Sequence, residues 1–365
     1  MQLKDMYNEQ SVAALAGAVQ QVYPALDQQG FSASVFDDEW PDRELKQRMR
    51  HITTCLHAFL PLDYHSALDL LQRALHLLPE QSFEKMVFPD YVEVYGLDDW
   101  AVSMPALEEF TQVISAEFAI RPFIVRYPER TMDQMLVWAE HENAGVRRLA
   151  TEGCRPRLPW GIRLQDLVAD PEPTLPILER LKNDASESVR RSVANNLNDI
   201  SKDHPDVVLE LLHRWQADAT GEVRWIIGHA LRSLIKQGHP EALALLGYSA
   251  DAEISVHNLA VEPPTITMGE RVTLSFDIKS MSGEPLNLMI DYAVYHMRAN
   301  GTLSPKVFKL AKKAIQPGEV LHIEKAHSFA PVTTRKYYPG EQAIEPKING
   351  RLFGRAGFLL KESGE

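Results

Sequence analysis

The chain has 365 residues, 24% of them charged, with a formal net charge of −12 and only two cysteines, Cys55 and Cys154. The acidic balance argues against indiscriminate polyanion binding, and two cysteines are too few for a disulfide framework or a zinc quartet. The opening MQLKDMYNEQ lacks the basic and apolar segments of a signal peptide, and no apolar run reaches the roughly 20 residues of a membrane span, so a reduced, soluble, cytoplasmic protein is expected.

In chain order, residues 1–250 read as helices. SVAALAGAVQQVY, SALDLLQRALHLL, PILERLKN and DVVLELLHRW repeat apolar residues at three- and four-residue spacing, with Pro and Gly between them. Part of this region repeats itself. Val146-Arg147-Arg148, Val189-Arg190-Arg191 and Val223-Arg224-Trp225 each open a helix, and eight residues before each valine stands a large apolar residue: Trp138, Leu181 and Trp215. The valines lie 43 and 34 residues apart, the scale of a helical-hairpin repeat. The expected architecture is an all-α HEAT-like solenoid, an α-α superhelix.

A helical wheel drawn on residues 185–202 puts Val189, Val193, Leu197 and Ile200 on one side. Arg191, Asn195, Asn198, Asp199 and Lys202 gather on the other. The corresponding positions in the flanking repeats are Arg148, Glu152 and Arg155 before it, and Trp225, His229, Arg232 and Lys236 after it. Solenoids use such aligned rows to line a concave groove, although a solvated helix face would look the same. RLPWG (157–161) adds Arg157 and an exposed-looking Trp160 in a Pro/Gly loop, suited to packing on a sugar or stacking on a base.

From about Ile254 the texture changes. RVTLSFDIK alternates apolar and polar residues, LMIDYAVYH and VLHIEKAHSF read as strands, and Asn349-Gly350 suits a tight hairpin turn. Roughly seven strands suggest an immunoglobulin-like β-sandwich over 251–365, following a helical domain over 1–250. Charge is uneven along the chain. Residues 121–163 hold eight arginines against five acids, and residues 298–336 hold eight Lys and Arg against two acids. In the second segment Lys306, Lys309, Lys312 and Lys313, with Arg335 and Lys336, form a basic stretch that could meet phosphates.

Carboxylates lie among the arginines: Glu117, Glu152 and Asp199. Such acids stay ionised and suit a reaction that develops positive charge, such as glycosidic bond cleavage through an oxocarbenium-like sugar. On spacing alone they read first as structural ion-pair partners. Walker, HExxH and G-x-S-x-G motifs are absent, and the histidines lack metal-ligand spacing, so no metal or cofactor is expected.

The runs VRRLATEGCRPRLPWG, SVRRSVANNLNDISKDHP, EFAIRPFIVRYPERTMDQML and FPDYVEVYGLDDW resemble the AlkC family of bacterial alkylpurine DNA glycosylases, in the superfamily that includes AlkD. The resemblance covers nearly the whole chain, including the immunoglobulin-like domain that part of the family carries. It implies base excision repair of alkylation damage, with release of 3-methyladenine and 3-methylcytosine from double-stranded DNA by a cofactor-free monomer and without full extrusion of the base. It also implies Glu117, Glu152 and Asp199 as catalytic acids and Trp160 as the aromatic near the lesion. Readings that remain open are a non-catalytic repeat scaffold and a lesion binder without chemistry.

Overall fold

The computed structural model describes residues 2–332 and 335–362. Among them helices precede strands, and the switch falls between Leu245 and Ile254. Two compact units emerge: residues up to 204 with 219–230, and residues 205–218 with those from 231 onward.

In the first unit the early helices are α1 (Glu9–Val22), α2 (Gln28–Val35), α3 (Leu45–Phe59), α4 (Tyr64–Leu75), α5 (Val87–Tyr95) and α6 (Trp100–Thr111). Short polar residues start them where the first turn has unpaired N–H groups: Asn8 accepts from Ser11 N, Asp63 from Ser66 N and Asp99 from Val102 N. The repeat proper follows: α7 (Arg121–Arg126), α8 (Pro128–Trp138), α9 (Ala144–Glu152), α10 (Gln165–Ala169), α11 (Leu175–Leu181) and α12 (Glu187–Ile200). Beyond them come α13 (Pro205–Gln216) of the second unit and α14 (Gly221–Ala230) of the first.

The three motif valines are buried at the starts of α9, α12 and α14, and Trp138, Leu181 and Trp215 are buried near the ends of the preceding helices. Helices α9, α12 and α14 lie side by side, with α8 and α11 packed against them, as stacked hairpins require. The first arginine of each motif has a repeated structural task. Arg147 Nη1 donates to His141 O and Glu142 O, Arg190 Nη1 to Asp184 O and Ala185 O, and Arg224 Nη1 to Ala219 O. Each one ties off carbonyls in the turn that precedes its own helix.

The wheel needs three corrections. Asn198 and Asp199 are only 2% exposed, because α12 is covered by α9, α11 and α14 together rather than on one side. Helix α9 ends at Glu152, so Arg155 occupies the following turn rather than a continuing helix face. The chain also breaks helix at Leu231, and Arg232 opens a new helix, α15 (Arg232–Gln237), in the second unit, with α16 (Pro240–Leu245) after it.

The second unit carries a β-sandwich. Its strands are β1 (Ile254–Glu262), β2 (Thr265–Thr267), β3 (Arg271–Ser280), β4 (Leu286–Met297), β5 (Leu303–Ile315), β6 (Val320–Ser328), β7 (Gly340–Ile348), β8 (Arg351–Leu352) and β9 (Ala356–Lys361). One sheet runs β1-β3-β6 and the other β2-β9-β7-β4-β5, with β8 beside β7. The alternation in RVTLSFDIK puts Val272, Leu274, Phe276 and Ile278 into the core, facing Ile290, Tyr292 and Val294 of β4. Asn349 and Gly350 both have positive φ, 45° and 82°, as a two-residue hairpin of this twist demands.

Candidate active site

The three acids singled out in the sequence fall into one chain of alternating charge. Arg155 is its centre. Its Nη1 donates to Glu152 Oε1 at 2.7 Å and its Nε to Asp199 Oδ2 at 2.9 Å. On the Asp199 side, Lys202 Nζ reaches Oδ1 at 2.8 Å. On the Glu152 side, Arg148 Nη2 stands 3.8 Å from Oε1, while its Nη1 meets Glu117 Oε2 at 2.8 Å. Hydroxyls complete the set: Ser192 Oγ donates to Glu152 Oε2 at 2.5 Å and Ser115 Oγ to Glu117 Oε2 at 2.7 Å. Burial would lower the Arg155 pKa, but the Glu152 and Asp199 carboxylates outweigh it and hold the guanidinium above its usual value. Every charge in the group thus has an opposite neighbour, which is the condition for keeping carboxylates buried and rigid.

Beside this chain lies a cavity of about 340 Å³. Glu117, Glu152, Arg155 and Trp160 line it together with apolar residues such as Tyr7, Met49 and Phe118. Asp199 does not line it and sits behind Arg155. The cavity therefore meets two carboxylates directly, while the third braces the arginine between them.

Trp160 stands at this cavity 67% exposed, with a left-handed φ of 64° that is uncommon for a bulky residue. Its loop is pinned from below. The fully buried Arg121 donates through Nε to Ile162 O at 2.7 Å and through Nη1 to Gly153 O at 2.8 Å. Burial pulls this guanidinium down to about 10. From the other side Lys46 Nζ donates to Trp160 O at 3.0 Å and lies 4.4 Å from the centre of the Phe118 ring. Trp160 thus combines an uncommon backbone conformation, wide exposure and a loop fixed from two sides, a combination that strained residues at functional sites often show.

Arg121, Lys46, Ser192 and Ser115 were not singled out in the sequence. Arg121 stands in the EFAIRPFIVRYPER run, but a buried arginine leaves no local pattern. The other predicted binding residues have diverse settings. Arg157 is paired with Asp203 through Nε at 2.8 Å and Nη2 at 2.5 Å. Asn198 Nδ2 donates to Ala230 O at 2.7 Å and so closes the end of α14. Exposed Arg191 pairs with Glu187 on its own helix. Asn195 Oδ1 meets His229 Nε2 at 3.1 Å, and His229 is stacked on Trp225 at 4.9 Å, so these three side chains form one cluster. Arg232 is half-buried in the second unit. Cys154 is fully buried, and burial pushes its thiol up to about 12, which removes it as a nucleophile.

In the sandwich, Lys306, Lys309, Lys312 and Lys313 are all exposed on β5, the edge strand of its sheet. They do not share one face. Lys309 and Lys312 pair across from Asp291 and Met289, whereas Lys306 and Lys313 pair across from the core-facing Val294 and Leu288. A bulge between Ile290 and Asp291 shifts the register within the run. Arg335 and Lys336 follow β6, with Lys336 Nζ 5.4 Å from the Tyr338 ring centre.

Comparison with known proteins agrees with a helical region followed by an immunoglobulin-like domain. A family model described as "DNA alkylation repair enzyme" matches residues 113–234. A second, described as "Uncharacterised protein YhaZ, C-terminal Ig-like domain", matches residues 255–362. The uncharacterized protein YhaZ of Bacillus subtilis (strain 168) is 42% identical over 351 residues, covering 96% of this chain and 97% of that protein. The solved structure of Pseudomonas fluorescens alkylpurine DNA glycosylase AlkC, bound to DNA containing an abasic site analog, superposes with a TM-score of 0.93. It is 42% identical and is covered completely by 99% of this chain. With a helical-repeat region carrying a buried carboxylate–arginine chain, an immunoglobulin-like sandwich and this full-length similarity, the chain belongs to the AlkC family of alkylpurine DNA glycosylases.

Proposed function

We propose that this protein hydrolyses the N-glycosidic bond of cationic N3-alkylated bases, 3-methyladenine and 3-methylcytosine, in double-stranded DNA, acting as a cytoplasmic monomer. The observation that carries the reading is Arg155, holding Glu152 and Asp199 at 2.7 and 2.9 Å beside a cavity with an exposed tryptophan. The lesion is already a cation, so its bond to C1′ breaks with the electron pair going to the base, which leaves neutral. The sugar takes up the positive charge. Water then adds its oxygen to C1′ and gives up a proton.

This chemistry asks for anions near the sugar and an acceptor for the water, with little call for a general acid. Glu152 suits the acceptor role, because it lines the cavity while Arg155 and Ser192 fix its two oxygens. Glu117 adds a second anion at the cavity wall, and Asp199 keeps Arg155 turned toward Glu152. Trp160 would pack against the lesion nucleotide from outside, which fits excision without full extrusion of the base. Phosphates flanking the lesion would be met by Arg148, Arg191, Asn195 and Lys202, and more remotely by Arg157, Asn198 and Arg232. Contacts from Arg148, Arg157, Arg191, Asn195, Asn198 and Lys202 require exchange or sharing of the partners they hold here. We assign the glycosylase domain to 1–250 and a DNA-contacting sandwich to 251–365, with the β5 lysines meeting the duplex.

Mass spectrometry of bases freed from methylated duplex DNA tests this reading. The expected result is release of both bases, with chelator present, above a heat-inactivated control. Duplex binding without release would make the protein a lesion binder, and neither would leave a scaffold.

A further inference from the structure

We infer that the groove between α8 and α11 docks a basic amphipathic helix of a partner protein. This inference is independent of the reaction assigned above. The groove encloses about 530 Å³. Its floor is apolar, formed by Ile124, Met132, Leu136, Leu164, Leu167 and Ile177, with the exposed Val125 at the edge. Its charged lining is one-sided: Glu129, Asp133, Asp166 and Asp170 against a single cation, Arg163. All four carboxylates belong to exposed residues, and none carries an ion pair among the described residues. Elsewhere in this unit the buried carboxylates Glu152, Asp184 and Asp199 are each matched by a cation.

An apolar floor under unmatched carboxylates fits an occupant with an apolar face and cationic flanks. It repels a phosphate backbone, so this is not an extension of a DNA surface. A neutral apolar ligand would leave the acids without a role. The groove shares no lining residue with the cavity beside Glu152, and it is built by the first helices of successive hairpins, whereas Arg148, Glu152 and Asp199 come from the second. Chemistry and docking can therefore proceed together. The chain segment that carries Trp160 continues directly into the groove wall at Arg163 and Leu164, which ties the two places covalently.

The test uses the full-length protein and a fluorescein-labelled Leu/Lys amphipathic helix of about 18 residues as probe. Comparators are a scrambled peptide of the same composition and a Leu/Glu version. Anisotropy at roughly physiological salt should show micromolar binding of the amphipathic Leu/Lys probe, with the comparators weaker by about tenfold or more. Asp133→Lys with Asp166→Lys should weaken the probe at least about tenfold, and Val125→Arg by a similar factor, with base release unchanged. Asp38→Lys with Glu80→Lys, an equal charge change at positions outside the groove, should leave probe binding within about twofold. Equal binding of the scrambled peptide, equal weakening in the Asp38/Glu80 pair, or no binding by the wild type would each overturn the inference. Unchanged base release in the groove variants shows that they are folded.

Discussion

The helical unit and the sandwich use their positive charge in opposite ways. In the first, Arg121, Arg147 and Arg155 are committed to carbonyls and carboxylates inside the fold, and Arg148 is bound between Glu117 and Glu152. In the second, four lysines of one edge strand stand in water, divided between its two sides. Both segments look alike as charge counts in the sequence. Buried, paired cations fix the geometry of other groups, whereas exposed lysines act on a partner over a screened distance.

The sharpest way to break the comparison is to remove the central buried cation. Arg155→Met leaves two buried carboxylates without their shared partner and should cost about 3–5 kcal/mol of stability, read by chemical unfolding, with base release abolished. A fully stable variant would mean the network is ornamental. Trp160→Gly should separate stability from function. Relief of the left-handed φ, on the order of 1 kcal/mol, should offset the little packing that the exposed ring provides, so unfolding stability holds. Base release should fall about tenfold or more because the ring is gone.

The sandwich should answer to salt instead. Replacing Lys306, Lys309, Lys312 and Lys313 by alanine should flatten the salt dependence of duplex binding by about 0.9 for each phosphate left without its lysine, with single-turnover release at saturation unchanged. An unaltered slope would remove β5 from the DNA interface. Acid should act on the sandwich core instead. Burial, reinforced by Arg335, pulls His296 down to about 3 and His327 to about 4, from an ordinary 6.5. Between these values the unfolded chain binds protons that the fold refuses. Stability is full above pH 6.5 and declines as pH falls toward 4, by at most about 1.4 kcal/mol per pH unit for each histidine. Hydrogen exchange in β3, β4 and β6 should record the decline, and His327→Phe should lessen it.

Local periodicity revealed much of this architecture. The valines and their apolar partners announced the hairpins, and the alternation in β3 announced the sandwich. The wheel failed at Asn198 and Asp199 because it offers a helix two sides, while α12 is enclosed by three neighbours. It failed at Arg155 and Arg232 because both lie past a helix end. Strand β5 escaped notice because a bulged edge strand with lysines on both faces does not alternate. Glu117, Glu152, Asp199 and Trp160 were legible as residue types near arginines. Their linkage through Arg155 and Arg148, and the fixing of Trp160 by Arg121, are products of tertiary packing between distant segments.

Single-turnover release of 3-methyladenine by Glu152→Gln, at saturating enzyme, tests the central claim most directly. The amide keeps the shape but removes the anion, so the rate should fall by about 10²-fold or more while duplex affinity stays within about twofold, and Asp199→Asn should show a smaller drop of the same kind. Wild-type rates in the Glu152→Gln protein would contradict a carboxylate-centred hydrolysis at this site.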